Sequence, residues 1–95
     1  DDFQLPLNTI RMRLRGSAGG QKGLADTIAR LSNTAIPRLR VGIGPVPKHQ
    51  DPPSFVLGKF TKYEQSDLNE TIHRAADAVE SWVTLGIETT MNRYN

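Results

Sequence analysis

Ile10-Arg11-Met12-Arg13-Leu14-Arg15, running into Gly16-Ser17-Ala18-Gly19-Gly20-Gln21-Lys22-Gly23-Leu24, is the stretch on which the fold turns. Strict alternation of apolar and basic residues predicts a strand over Thr9 to Arg15, with three guanidinium groups on one face and three apolar side chains on the other. The glycines mark a tight turn. Leu24, Ala25, Ile28 and Leu31 then recur at helical spacing, which predicts a helix from Lys22 to about Ser32. Free backbone N–H groups and the positive dipole end at such a helix start favour an anion. A second alternating strand is expected over Pro37 to Ile43, with Leu39, Val41 and Ile43 inward and Arg38 and Arg40 opposite. Strand, helix, strand in this order predicts a right-handed parallel βαβ unit.

Outward from this centre, Asp1 to Asn8 reads as the end of one element and a turn, with Pro6 stopping regular structure. Gly44 to Pro53 holds four of the six prolines and reads as a loop. Phe55 to Phe60 is a short apolar segment. Thr61-Lys62-Tyr63-Glu64 matches a capping box, and the helix after it carries Leu68, Ile72, Ala75, Ala76, Val79, Trp82 and Val83 on one predicted apolar stripe. Gly86 ends that helix, and Ile87 to Asn92 adds a further helical turn.

A chain of 95 residues builds one small domain with a limited core. It contains no Cys, so neither a disulfide nor a thiolate metal site supplements that core. No apolar run approaches the ~20 residues that span a bilayer. The formal charge of +2 conceals an asymmetry, because residues 1 to 48 carry eight Lys/Arg against three acids and residues 49 to 95 carry four against seven. Basic side chains thus gather around the glycine turn, as a surface facing a polyanion requires.

No catalyst stands out from the residues alone. His49 sits among prolines, His73 lies one position off the apolar stripe, and neither has a spaced His or carboxylate partner that would make a metal site. Ser17 lacks a nucleophile-elbow setting and reads as a helix cap. Gly16 to Lys22 lacks the Gly-Lys-Ser/Thr ending of a P-loop. The residues by themselves describe an anion-binding α/β domain.

Taken in order, Asp1-Asp2-Phe3-Gln4-Leu5-Pro6, Gly16 to Leu24, Pro37-Arg38-Leu39-Arg40-Val41-Gly42-Ile43-Gly44, Phe55-Val56-Leu57 and Met91-Asn92-Arg93 resemble roughly the C-terminal half of a bacterial-type peptidyl-tRNA hydrolase. The resemblance implies part of a mixed twisted sheet with flanking helices, the family's N-terminal strands lying outside this chain. It implies hydrolysis of the ester between peptide and tRNA without a cofactor, in the cytoplasm or an organelle matrix. Asp1 matches the aspartate that orients the family's general-base histidine, a residue of the other half, so the chain alone is expected to be inactive. The glycine segment Gly19-Gly20-Gln21-Lys22 stands where the family usually has Gly-Gly-His-Asn, which touches the peptide and the tRNA 3′ end. Gln4 replaces a usual acid. Arg13 and Arg40 match the two basic positions that hold the tRNA 5′ phosphate. The expected partners are tRNA together with the other half, a second chain or a swapped dimer, and no membrane. The alternatives are a noncatalytic RNA-binding relic of the same fold in an RNA–protein assembly, and an unrelated small βαβ domain for a phosphorylated metabolite.

Overall fold

The computed structural model describes residues 1–95. Three strands, β1 (Asp2–Pro6), β2 (Ile10–Arg13) and β3 (Arg38–Gly44), form a mixed sheet in the order β1-β3-β2. Helix α1 (Lys22–Leu31) joins β2 to β3, and α2 (Pro52–Val56), a 3₁₀ turn at Lys62–Glu64, α3 (Gln65–Leu85) and α4 (Ile87–Tyr94) follow. Leu7 to Thr9 straddles the end of β3, with Leu7 N–H donating to Gly44 O and Gly42 N–H donating to Thr9 O, both at 2.8 Å. That span leaves one strand width between β1 and β2, and β3 fills it.

β3 runs parallel to β1 and antiparallel to β2, with Ile10 opposite Val41, Arg11 opposite Arg40, Met12 opposite Leu39 and Arg13 opposite Arg38. The expected parallel βαβ unit is therefore corrected. Gly16 N–H donates to Thr34 O at 3.2 Å, so the excursion through α1 begins and ends at the same place. The chain re-enters the sheet from the end it left, which makes the neighbouring strands antiparallel.

Alternation divides the sheet into two faces. Ile10 and Met12, fully buried, share one face with their partners Val41 and Leu39, and α3 and α4 cover it. Arg11, Arg13, Arg38 and Arg40 share the other. At the outer edge of β2, the Asn95 carboxamide accepts from Met12 N–H at 2.6 Å and donates to Met12 O at 2.9 Å, pairing the edge as a strand would. Asn8, at φ 65°, accepts from Thr71 Oγ1 through its side chain and from Arg74 Nη1 through its carbonyl, which ties the β1–β2 turn to α3.

Three further expectations change. The stripe predicted for α3 coincides only in part with its packed face: Leu68, Ala75 and Trp82 are half-buried beside the buried Thr71, Ala78 and Ser81, whereas Ile72, Val79 and Val83 are 56, 45 and 81% exposed. Small side chains let α3 approach the sheet and α4 closely, and the Ser81 and Thr90 hydroxyls bond to each other at 2.8 Å in that contact. The segment around Pro52 and Pro53 is helical, because proline fits the first positions of a helix and Asp51 Oδ2 accepts from Ser54 N–H at 3.1 Å. Ser17 does not cap α1. Gln21 occupies the N-cap position and makes no side-chain bond to the helix.

Candidate functional site

The glycine turn, the end of β2, the start of β3 and the first residues of the chain enclose an open cavity of about 430 Å³. Left-handed backbone at Gly19 (φ 61°) and Gly20 (φ 89°), where side chains are disfavoured, lets the turn fold over the arginine-bearing face. Asp1, Gly19, Gln21, Arg13 and Arg40 all line the cavity, so five of the seven residues expected at the site meet in one place. Gly20 and Lys22 stand outside the lining, and Lys22 is exposed in the first turn of α1.

Twenty positions separate Asp1 from Gln21, yet their side chains are joined. Gln21 Nε2 donates to Asp1 Oδ1 and to Asp1 O, each at 2.6 Å. The amide thus holds the carboxylate from the glycine-turn side. Asp1 also borders a second cleft of about 550 Å³, where Ile43, Pro45, Phe55, Val56 and Phe60 stand beside Lys59 and Glu64. A carboxylate therefore lines both a basic cavity and a cleft richer in apolar surface.

The four arginines that line the cavity are not equivalent. Arg38 donates through Nη1 to Ser17 O at 2.7 Å, through Nε to Ile36 O at 2.9 Å and through Nη2 to Thr34 O at 3.2 Å. Its fork latches the glycine turn to the loop that leads into β3. Arg40 donates through Nε to Asp2 Oδ2 at 2.7 Å, and Gln4 N–H donates to Asp2 Oδ1 at 2.8 Å. Burial by itself would raise the Asp2 carboxyl pKa, but the Arg40 hydrogen bond, the Gln4 amide and the Arg40 charge outweigh it and hold it below the ordinary value. Arg13 and Arg15 are exposed and line the cavity, and their side chains make no hydrogen bond.

Asp2 and Arg38 are the participants that the sequence reading passed over. Arg38 was visible in the alternation, but nothing local indicated that it reaches Ser17; Asp2 needed the β1–β3 pairing to meet Arg40. His49 and His73 are exposed and border neither hollow. No cluster of three or more His, Cys, Asp or Glu is arranged to hold a metal ion. No helix is long and apolar enough to cross a membrane.

The peptidyl-tRNA hydrolase family model matches residues 1–95, the whole chain. The chain belongs to the peptidyl-tRNA hydrolase family. It is 47% identical over 95 residues to a peptidyl-tRNA hydrolase of Chloroflexus aurantiacus and 45% identical to one of Chloroflexus aggregans, covering all of this chain and 50% of each relative. The crystal structure of peptidyl-tRNA hydrolase from Acinetobacter baumannii superposes with a TM-score of 0.84 at 32% identity, covering 100% of this chain and 48% of that one. The chain thus spans about half the length of the peptidyl-tRNA hydrolases it matches. The mixed sheet with flanking helices is the family's fold over that half.

Proposed function

We propose that this chain forms the tRNA-facing half of a peptidyl-tRNA hydrolase, with Asp1 at the bond to be cleaved. The observation that carries this reading is the position of Asp1 beside two unlike hollows, one lined by Arg13, Arg15 and Arg40, the other richer in apolar surface, with Ile43, Phe55, Val56 and Phe60 in its wall. A peptidyl-tRNA has the same polarity, with a polyanion on one side of a single ester and a peptide on the other. In the proposed reaction water adds to the ester carbonyl carbon, a general base takes its proton, and the ribose oxygen leaves and is protonated. Asp1 orients that base, which is a histidine of the half of the family this chain does not span. Gln21 holds Asp1 in place. Arg13 and Arg40 take the 5′ phosphate of the tRNA, and Gly19, Gly20 and Lys22 face its 3′ end. The exposed stripe Ile72, Val79 and Val83 and the free edge of β1 offer surfaces for the remaining half.

The test is peptidyl-tRNA hydrolysis by the purified chain, with its tRNA affinity measured at two salt concentrations. Salt-dependent binding without turnover is the expected outcome, and turnover is expected when the histidine-bearing half is supplied. Turnover by the chain alone would move the base to His49 or His73. Binding that persists while the completed protein stays inactive would favour the RNA-binding relic, whose observed support is the Gln21-Lys22 pair. An absence of salt-dependent tRNA binding would refute the reading.

A further inference from the structure

Resting on the reading above, we infer that Asp2 is a positioning residue that aims Arg40 at the phosphate rather than a partner that neutralises it. The contact between them is one-sided. Asp2 Oδ2 takes only the Nε proton of Arg40, at 2.7 Å, and its other oxygen is held by the Gln4 amide at 2.8 Å. Both guanidinium Nη groups of Arg40 remain without a hydrogen-bond partner, while the residue lines the basic cavity. Arg38, two positions earlier on the same face, has Nε, Nη1 and Nη2 all bonded to backbone carbonyls. Of the two arginines that β3 places on this face, Arg40 alone presents an unoccupied fork, the edge that matches two oxygens of a phosphate.

Strand register explains why the fork needs holding. Arg11 lies directly opposite Arg40 and Arg13 opposite Arg38, so four cations crowd one face and repel. Arg13 is the diagonal neighbour of Arg40, about 7 to 8 Å away at the backbone, a gap that two long side chains close around one phosphate. A flexible Arg40 would turn away from Arg13 and toward solvent. The carboxylate at Nε prevents this, and both partners are mostly buried, with side-chain exposures of 23 and 20%.

The sign of one substitution separates this role from simple charge. Asp2→Ala adds one positive unit to the cavity, so long-range electrostatics alone would tighten tRNA binding. If Asp2 aims Arg40, affinity for 5′-phosphorylated tRNA instead falls, by about tenfold, the loss of one charge-assisted hydrogen bond. Affinity for 5′-hydroxyl tRNA changes little. Asp2→Asn, which keeps an acceptor for Nε, is expected to restore part of the preference. Binding of both tRNAs to the unaltered chain and both variants, with melting temperatures as the folding control, provides the test. Tighter or unchanged binding of phosphorylated tRNA by Asp2→Ala overturns the inference while the proposed function stands. A lack of 5′-phosphate preference in the unaltered chain overturns both. A second measurement needs no variant: on titration with adenosine 5′-monophosphate, the Arg40 Nη resonances should shift while Nε–H keeps its Asp2-bonded position. Movement of Nε–H off that position refutes the inference.

Discussion

Replacing Gly42 by alanine probes the junction that places Asp1 and Asp2 beside the cavity. A Cβ at position 42 would lie 2.0 Å from Pro6 O, 2.9 Å from Pro6 C and 3.0 Å from Leu5 Cβ. Two of these three neighbours are backbone atoms, so no side-chain rotation relieves the contact, and ordinary packing distance begins at 3.4 Å. β1 and β3 must therefore part by about 1.4 Å, the difference between 3.4 and 2.0 Å. Applied to the 2.8 Å bond from Leu7 N–H to Gly44 O, that opening gives about 4.2 Å, beyond hydrogen-bonding range. Overpacking of roughly 1 to 3 kcal/mol and a lost interstrand bond of about 1 kcal/mol predict a destabilisation of about 2 to 4 kcal/mol. In a domain of this size each kcal/mol lowers the melting temperature by about 4 to 8 °C, so a fall of at least about 8 °C is expected in thermal unfolding followed by circular dichroism. Gly23→Ala is the control. It lies in α1 with nothing within 4 Å of a new Cβ, and the helix should gain about 0.5 to 1 kcal/mol. A melting temperature for Gly42→Ala within about 2 °C of the unaltered chain would refute the close-approach argument.

Arg38→Lys keeps the charge but cannot reach three carbonyls at once, so the glycine turn should loosen and tRNA affinity should fall several-fold at all salt concentrations; full retention of affinity would make Arg38 a charge rather than a latch. Arg13→Ala should weaken tRNA binding and reduce the slope of log K against log salt by about 1, read from a salt titration. The Asp2 carboxyl titrates lower when folded than when unfolded, so its stabilisation is complete above the unfolded value of about 3.9 and is lost as pH falls through the lower folded value. Urea unfolding between pH 5 and pH 2, values of about that range bracketing the transition, should show a shallower acid loss for Asp2→Asn than for the unaltered chain.

Much of the local structure was legible because periodicity is a local property. The Arg-Met-Arg alternation located β2, the Leu24 to Leu31 spacing located α1, and Gly86 marked the end of α3. For the packed face of α3 and the pairing of β2 with β3, contacts distant in the chain decided the outcome. Half-buried Leu68, Ala75 and Trp82 belong to the predicted stripe of α3, but the sheet and α4 centre the packed face on Thr71, Ala78 and Ser81, whose size permits close approach, and leave Ile72, Val79 and Val83 exposed. Strand-helix-strand order implied a parallel unit, and the Gly16 to Thr34 closure made it antiparallel. The helix at Pro52 had a local signal after all, since Asp51 before two prolines and a serine is a cap followed by permitted first-turn residues.

The candidate site divides along the same line. By itself the sequence determined which residue types are present: alternating arginines, a turn that only glycine tolerates, and motifs shared with peptidyl-tRNA hydrolases, all set by side-chain chemistry and backbone freedom over a few positions. Tertiary structure alone decided their duties. Arg13, Arg38 and Arg40 are alike in the chain, and they differ in the fold because one points freely into the cavity, one is drawn onto three backbone carbonyls, and one is gripped at Nε by a carboxylate 38 positions away. A guanidinium's role depends on which of its donors are already satisfied, and that follows from which strands pair and in what register.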